Sequence, residues 1–176
     1  MITDSTFYES VYLTDHELSF ATAEGNRRQD YNQKAGIRGR GGAPERGDQS
    51  RRINIEGAIG EFAVAKYLNM IPRVFKEIKP VPGSFDLPPN IDVKTPASHK
   101  RRLVIFLDEN PQKIFVLATY QDNEIRLHGW TYGHRVMKSQ FIEDPIGRGS
   151  RYYVPQSILH PMKYLKHFLV DLGYSK

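Results

Sequence analysis

The 176-residue sequence contains no cysteine, which excludes a disulfide framework, a thiolate zinc site and a cysteine nucleophile. It has no apolar run approaching the roughly 20 residues that a bilayer-crossing helix needs. The opening stretch, MITDSTFYES, has neither the basic start nor the apolar segment of a secretory leader, so a cytoplasmic protein is expected. The phosphate-cradling pattern G-x-x-x-x-G-K-[S/T] is absent, and with it the expectation of a nucleotide-driven motor. Histidine is sparse and scattered: His16, His99, His128, His134, His160 and His167 form no pair with zinc-ligand spacing. The single tryptophan, Trp130, reads as a packing anchor at a strand end. No internal repeat is present. What remains is 39% hydrophobic and 26% charged, enough apolar material for a core and a length suited to one domain.

Charge is unevenly placed. Residues 1–25 carry Asp4, Glu9, Asp15, Glu17 and Glu24 and no Lys or Arg. The next stretch, 26–52, reverses the sign with Arg27, Arg28, Lys34, Arg38, Arg40, Arg46, Arg51 and Arg52 against Asp30, Glu45 and Asp48. Gly36, Gly39, Gly41, Gly42 and Gly47 lie in the same basic stretch. Glycine frees the backbone and Arg pairs well with phosphate, so residues 36–48 read either as a flexible loop that closes on nucleic acid or as a solvated surface loop. The net charge of +5 favours an anionic partner.

Local signals place most elements. Thr14 with Glu17 three residues on makes a capping box for a helix to about Gln29. A second helix is expected over 49–69, closed by Pro72, and a strand over 74–79. Residues 81–90, with Pro82, Gly83, Pro88 and Pro89, must turn. Ile91–Thr95 alternates with the period of a strand, and 103–107, 114–119 and 124–128 read as further strands. Thr131 is expected to cap a short helix to about Ser139, 144–150 to turn, and Tyr152–Val154 to form a last strand. Pro161 suits the first position of a final helix in which Met162, Leu165, Phe168, Leu169 and Leu172 recur at helical spacing. This order predicts an α+β or mixed α/β domain, a central mixed sheet flanked by helices.

Chemistry concentrates in residues 56–95. Glu61 has Gly57, Ala58, Val64 and Ala65 as its helical neighbours, a face of small and apolar residues that should meet the sheet. A carboxylate there is costly unless it is paired or binds a cation. Gly57 and Gly60 suggest that something approaches this face closely. Glu56 is less telling, because Arg52 lies one turn back. In the strand Ile91–Thr95, Asp92 and Lys94 share one face, and Asp86 ends a turn six residues earlier. Three carboxylates with a lysine beside them make a hard oxygen site suited to Mg²⁺. An ion there could acidify water and polarise a phosphoryl oxygen, and the lysine could orient the water or neutralise developing charge. The alternative for D-x-K alone is a solvated strand face.

The series G-E-x-A-x-x-K-Y-L on a helix, then D-x5-D-x-K, then strands resembles the PD-(D/E)XK nuclease superfamily, in particular its small phage-encoded members. Glu61, Asp86, Asp92 and Lys94 carry the resemblance, with Ile125–Trp130 and the 159–165 segment similar to the later part of such chains. It covers about residues 49–165 and implies a restriction-endonuclease-like core within a single domain spanning 1–176, preceded by a helical segment over 1–30. It further implies Mg²⁺-dependent hydrolysis of DNA phosphodiester bonds, with Mn²⁺ able to substitute. Asp86, Asp92 and the carbonyl of Val93 would hold the metal, Glu61 would be a further acid ligand, and Lys94 would position the nucleophile. Phe85 stands where the pattern has proline. Such nucleases often act as homodimers, in the host cytoplasm when phage-encoded.

DNA contacts are expected from Arg38, Arg40, Arg46, Arg51 and Arg52, and from the basic turn His99, Lys100, Arg101 and Arg102. Two rival readings stand beside the nuclease. One is a non-catalytic nucleic-acid-binding module that keeps the fold. The other is an accessory protein docking through its acidic N-terminal stretch.

Overall fold

The computed structural model describes residues 7–37, 48–72, 85–145, 147 and 149–174. The expected strand over 74–79 and most of the expected Gly/Arg loop, with Arg38, Arg40 and Arg46, lie outside the described residues.

Helix α1 (Asp15–Lys34) starts as its sequence dictates: the Glu17 N–H donates to Thr14 Oγ1 at 3.3 Å and the Thr14 N–H donates to the Glu17 carboxylate at 2.7 Å. It runs five residues beyond the expected end at Gln29, because Gln29 is not a terminus but a buried contact to α2 (Asp48–Tyr67). Its side-chain oxygen accepts from Ser50 at 2.8 Å and from Asn54 at 2.9 Å. The two helices touch most closely at Gly25, where a Cβ would collide with the backbone of Ile55. Helix α2 ends two residues earlier than expected, with Asn69 in the left-handed region (φ 55°) and the Met70 N–H returning to the Ala65 carbonyl at 2.8 Å.

The central sheet has the order β1-β5-β4-β2, from β1 (Glu9–Val11), β2 (Ile91–Lys94), β4 (Ile114–Gln121) and β5 (Glu124–Tyr132). Strand β2 lies parallel to β4, and the other pairs are antiparallel, so the sheet is mixed. The β4–β5 hairpin turns on Asp122 and Asn123, both at positive φ (52° and 62°), a pair of residue types that tolerates this turn. A smaller antiparallel sheet joins β3 (Leu103–Phe106), β7 (Arg151–Val154) and β6 (Ile142–Glu143) in the order β3-β7-β6. Helix α3 (Gly133–Val136) and α4 (Met162–Asp171) complete a mixed α+β architecture of two sheets and four helices among the described residues.

The central sheet is covered on both faces. On one, Val93, Val116 and Leu127 pack with Ile59 and Phe62 of α2 and Leu165 of α4. On the other, Phe115 and Leu117 pack with Leu103, Ile105 and Val154 of the smaller sheet. Burial on both faces explains why β4 is apolar along most of its length instead of alternating.

Three expectations are corrected here. Thr131 does not cap a helix: β5 continues to Tyr132, with Thr131 opposite Phe115. Pro161 precedes α4 as its cap residue and is not its first helical position. The three-residue β1 and two-residue β6 were not foreseen.

Candidate active site

Helix α2 reaches β2 through a glycine. A Cβ at Gly60 would fall inside the side chain of Thr95, just past β2, whereas a Cβ at Gly57 would meet nothing within 4 Å. The close approach expected of both glycines therefore belongs to Gly60 alone. It brings the next residue, Glu61, to the edge of the sheet.

Strand β2 is that edge, with only β4 beside it among the described residues. The chain enters through a tight turn in which the Ile91 carbonyl accepts from the N–H groups of Asp86 (2.9 Å) and Leu87 (3.1 Å). The turn folds Asp86 back along the strand, where its carboxylate accepts the outward N–H of Val93 at 2.7 Å. In a strand the N–H and C=O of one residue point to the same edge, so the Val93 carbonyl faces outward too. Asp86 thus lies beside Val93 on the side of β2 away from β4, with Asp92 preceding Val93 in the strand.

Asp92 is buried and both its oxygens are taken: Oδ1 lies 2.6 Å from Lys94 Nζ and Oδ2 lies 2.9 Å from Lys113 Nζ. The same two lysines share Glu109, Lys94 at 3.3 Å and Lys113 at 3.1 Å. The four side chains close into a ring of two acids and two lysines. Glu61 is held differently, by a two-pronged pair with Arg28 of α1 at 2.5 and 2.7 Å. Arg28 also donates to Glu24 at 2.9 Å, and Arg27 completes that pair.

These groups approach from two sides. Lys94 lies over the ring of Phe115, which belongs to the core under the smaller sheet, while Val93 belongs to the core under α2. Asp92 and Lys94 share a face as expected, but it is the face away from α2, and Glu61 comes from the helix side. The pattern implies that Glu61, Asp86, Asp92 and Lys94 meet in one cleft, and that expectation fails for Glu61: it lies on the opposite side of the sheet from Asp92 and Lys94, which counts against a nuclease, and only Asp86 feels the charges of both Glu61 and Asp92. Burial pushes the Asp86 carboxyl well above the usual carboxylate range, and the negative charges of Glu61 and Asp92 push it further than the Val93 N–H and Lys94 can pull it back. Burial alone would lower Lys94 and Lys113, yet Asp92 and Glu109 outweigh it and hold both above the ordinary lysine value.

Among the described residues, no three acidic or histidine side chains are gathered closely enough to hold one metal ion in common. Mg²⁺ does not require that; it is bound through one or two carboxylates, with waters and substrate phosphate completing its shell. Asp86 and the outward carbonyl of Val93 fit such a donor set, and Asp92 would join it against the charges of Lys94 and Lys113. Glu61 fits less directly, since Arg28 occupies its carboxylate.

The expected DNA contacts divide. Arg51 is paired with Asp30 at 2.9 Å and with Asn26 at 2.8 Å, and Arg52 with Glu56 at 2.6 Å. Arg102 is engaged with Glu143 at 2.6 and 2.8 Å. His99 bonds Thr119 Oγ1 through Nδ1 at 2.6 Å and lies 3.6 Å from Glu124, and burial together with Arg126 lowers its pKa. Lys100 and Arg101 are exposed and form no ion pair with the described residues.

Sequence reasoning missed Arg28, Lys113 and Glu109. Glu24 and Arg28 do stand at i,i+4 spacing, a visible signal for their own pair but not for Glu61. It also missed a buried polar chain in which Thr119 Oγ1 lies 2.8 Å from His128 Nε2 while bonding His99; burial above all, with His99 and Arg126 nearby, pushes His128 down to about 4. The two histidines of that chain line a cleft of about 780 Å³ with Tyr8, Lys100 and Arg126. A second cleft of about 600 Å³ lies between the start of α2 and the β4–β5 turn. Neither of these two clefts reaches Asp86 or Asp92. No described helix is long and apolar enough to cross a membrane. Comparison of the chain with protein-family models, with curated proteins and with solved structures finds no match in any of the three.

Proposed function

We propose that this chain is a Mg²⁺-dependent nuclease with a restriction-endonuclease-like core, hydrolysing phosphodiester bonds in DNA. The observation that carries the reading is the grouping along β2. Asp86 is bonded to the Val93 N–H at 2.7 Å, Asp92 precedes Val93 in the strand, and Lys94 is 2.6 Å from Asp92. Asp86, Asp92 and the Val93 carbonyl would hold Mg²⁺ or Mn²⁺, with Glu61 as a further acid on the helix side. When bound, the ion supplies a Lewis acid for a phosphoryl oxygen and makes water acidic enough to attack near neutral pH. Lys94 keeps its proton, because Asp92 and Glu109 hold its pKa up, so it acts as a hydrogen-bond donor and positive charge. Its task is to orient the attacking water and offset charge building on the phosphate. Asp92 fixes the lysine for that task. Lys100 and Arg101, exposed and without ion pairs among the described residues, would contact DNA phosphates away from the acidic site.

A second reading has an observation of its own. Glu61 is matched by Arg28, and the pair Asp92 and Glu109 by Lys94 and Lys113, so these acids are neutralised without metal. That favours a non-catalytic nucleic-acid-binding module with the same fold. The deciding experiment incubates the purified chain with supercoiled plasmid, single-stranded DNA and RNA, in Mg²⁺, Mn²⁺ or EDTA. The nuclease reading expects divalent-dependent cleavage that Asp92→Asn abolishes while circular dichroism and DNA binding persist. Binding without cleavage in either metal would establish the module instead, and cleavage by Asp92→Asn equal to wild type would refute the ligand assignment.

A further inference from the structure

We propose that Lys113 is a built-in counter-ion that occupies Asp92 until a divalent cation displaces it onto Glu109. The proposal rests on the reading of Asp86 and Asp92 as a metal site. Lys113 lies outside the D-x-K pattern, one residue before β4, and its side chain is only 8% exposed. Its backbone is fixed on both sides: its N–H donates to the Asn110 carbonyl at 3.1 Å, and its carbonyl accepts from Gly133 at 2.9 Å. What can move is the four-carbon stem and its ammonium.

The ring geometry says which lysine yields. Each oxygen of Asp92 already faces an ammonium, so a divalent ion that binds a remaining lone pair meets the like charge of both lysines, and the less firmly held one is pushed away. Lys94 is held unequally, 2.6 Å from Asp92 and 3.3 Å from Glu109. Lys113 is shared almost evenly, 2.9 and 3.1 Å. Stripping a buried ammonium of all its partners would be costly, but Lys113 keeps Glu109 when it leaves Asp92. Glu109 is the seat that makes the exchange inexpensive. In this arrangement Lys113 is a positioning residue for the cation, and Lys94 stays where the chemistry needs it.

The test is calorimetric titration of Mn²⁺ into the full chain without DNA, for wild type, Lys113→Gln, Glu109→Gln and the double variant, with Lys113→Arg retaining the charge. Lys113→Gln should bind Mn²⁺ at least about fivefold more tightly, the lower end of an ordinary coupling between two sites. Glu109→Gln should bind it more weakly, because Lys113 loses its second seat and stays on Asp92. The distinguishing readout is the double variant: with Lys113 already replaced, removing Glu109 should change affinity less than twofold. General electrostatics would instead weaken binding by the same factor in both backgrounds, and that result overturns the exchange. An unchanged affinity in Lys113→Gln overturns it too. If Lys113→Gln does not fold, tighter or equal binding by Glu109→Gln alone refutes the proposal. Wild type that takes up no Mn²⁺ refutes the metal-site reading itself.

Discussion

Replacing Asp86 by asparagine should add stability and, on the proposed nuclease reading, remove cleavage, and the two effects can be measured separately. Asn keeps an oxygen to accept the Val93 N–H, which Asp86 now accepts at 2.7 Å. The bond changes from charge-assisted to neutral, a loss of about 1 kcal/mol. Against this stand burial and the charges of Glu61 and Asp92, which lift Asp86 well above its ordinary value of 3.8 even with the Val93 bond in place. Repulsion and burial therefore exceed the bond, and the neutral isostere gains. The sign with pH follows from linkage. A carboxyl whose folded pKa is raised binds its proton more firmly when folded; that contribution is complete below the unfolded value and is lost as pH rises through the folded one. Wild type loses stability from about pH 4 upward on this account, and Asp86→Asn, which does not titrate, does not. At pH 8 the variant should be more stable by about 1–2 kcal/mol, a usual gain on relieving a functional site. In a chain of this size each kcal/mol raises Tm by about 2–4 °C. Thermal unfolding followed by circular dichroism in EDTA, at intervals from pH 4 to 8.5, gives the difference curve. Added Mn²⁺ should raise the wild-type Tm and leave the variant unmoved. A variant less stable than wild type at pH 8, or a difference constant with pH, would refute the electrostatic account of Asp86.

Two further expectations concern the helix and the basic turn. Gly57→Ala, into open space, should stabilise by about 0.5–1 kcal/mol through helix propensity, whereas Gly60→Ala, against Thr95, should destabilise by about 1–3 kcal/mol through overpacking. Urea unfolding distinguishes them, and equal effects would mean that α2 does not rest on β2 at Gly60. Lys100→Ala with Arg101→Ala should weaken DNA binding and reduce the salt dependence by about 2 in the slope of log K against log salt, while Arg102→Ala, already paired with Glu143, should leave the slope nearly unchanged. Filter binding over a salt series reads both, and a slope that responds to Arg102 alone would reverse the assignment.

The parts of this molecule that were legible in the sequence are those whose cause is local. Thr14 and Glu17 specify a cap within one turn, and Asp92 and Lys94 share a face by strand alternation alone. Glu61 declares itself by its apolar neighbours four residues either way. What was not legible depends on partners far along the chain. Arg28 meets Glu61 across 33 positions, and Arg102 meets Glu143 across 41, so a basic cluster that reads as phosphate contact is partly spent on internal acids. The length of β5 was hidden by a register shift opposite Leu117 and Ala118, which interrupts the alternation around His128 and Gly129. Gly129 sits there at φ 138°, where a Cβ would strike the His160 carbonyl. A period-two reading stops at such a bulge, although the strand does not.

The acids near this sheet edge are not equivalent, and the difference separates structural from chemical carboxylates. Glu56 is buried but matched by Arg52, and Glu24 is buried but held by Arg27 and Arg28. Each is a closed account that folding alone explains. Asp86 has no ion pair among the described residues, and its bonded partner is a single backbone N–H. Pairing that N–H on a buried strand needs an acceptor, but not a charge. Asparagine or serine would serve the fold at lower cost, placed as this residue is between the fields of Glu61 and Asp92. A charge that the fold does not need, kept where two other carboxylates repel it, is the kind of local conflict that marks a site built for something other than stability. On the proposed reading a divalent cation would relieve that conflict, which Lys94, committed to Asp92 and Glu109, offsets only in part.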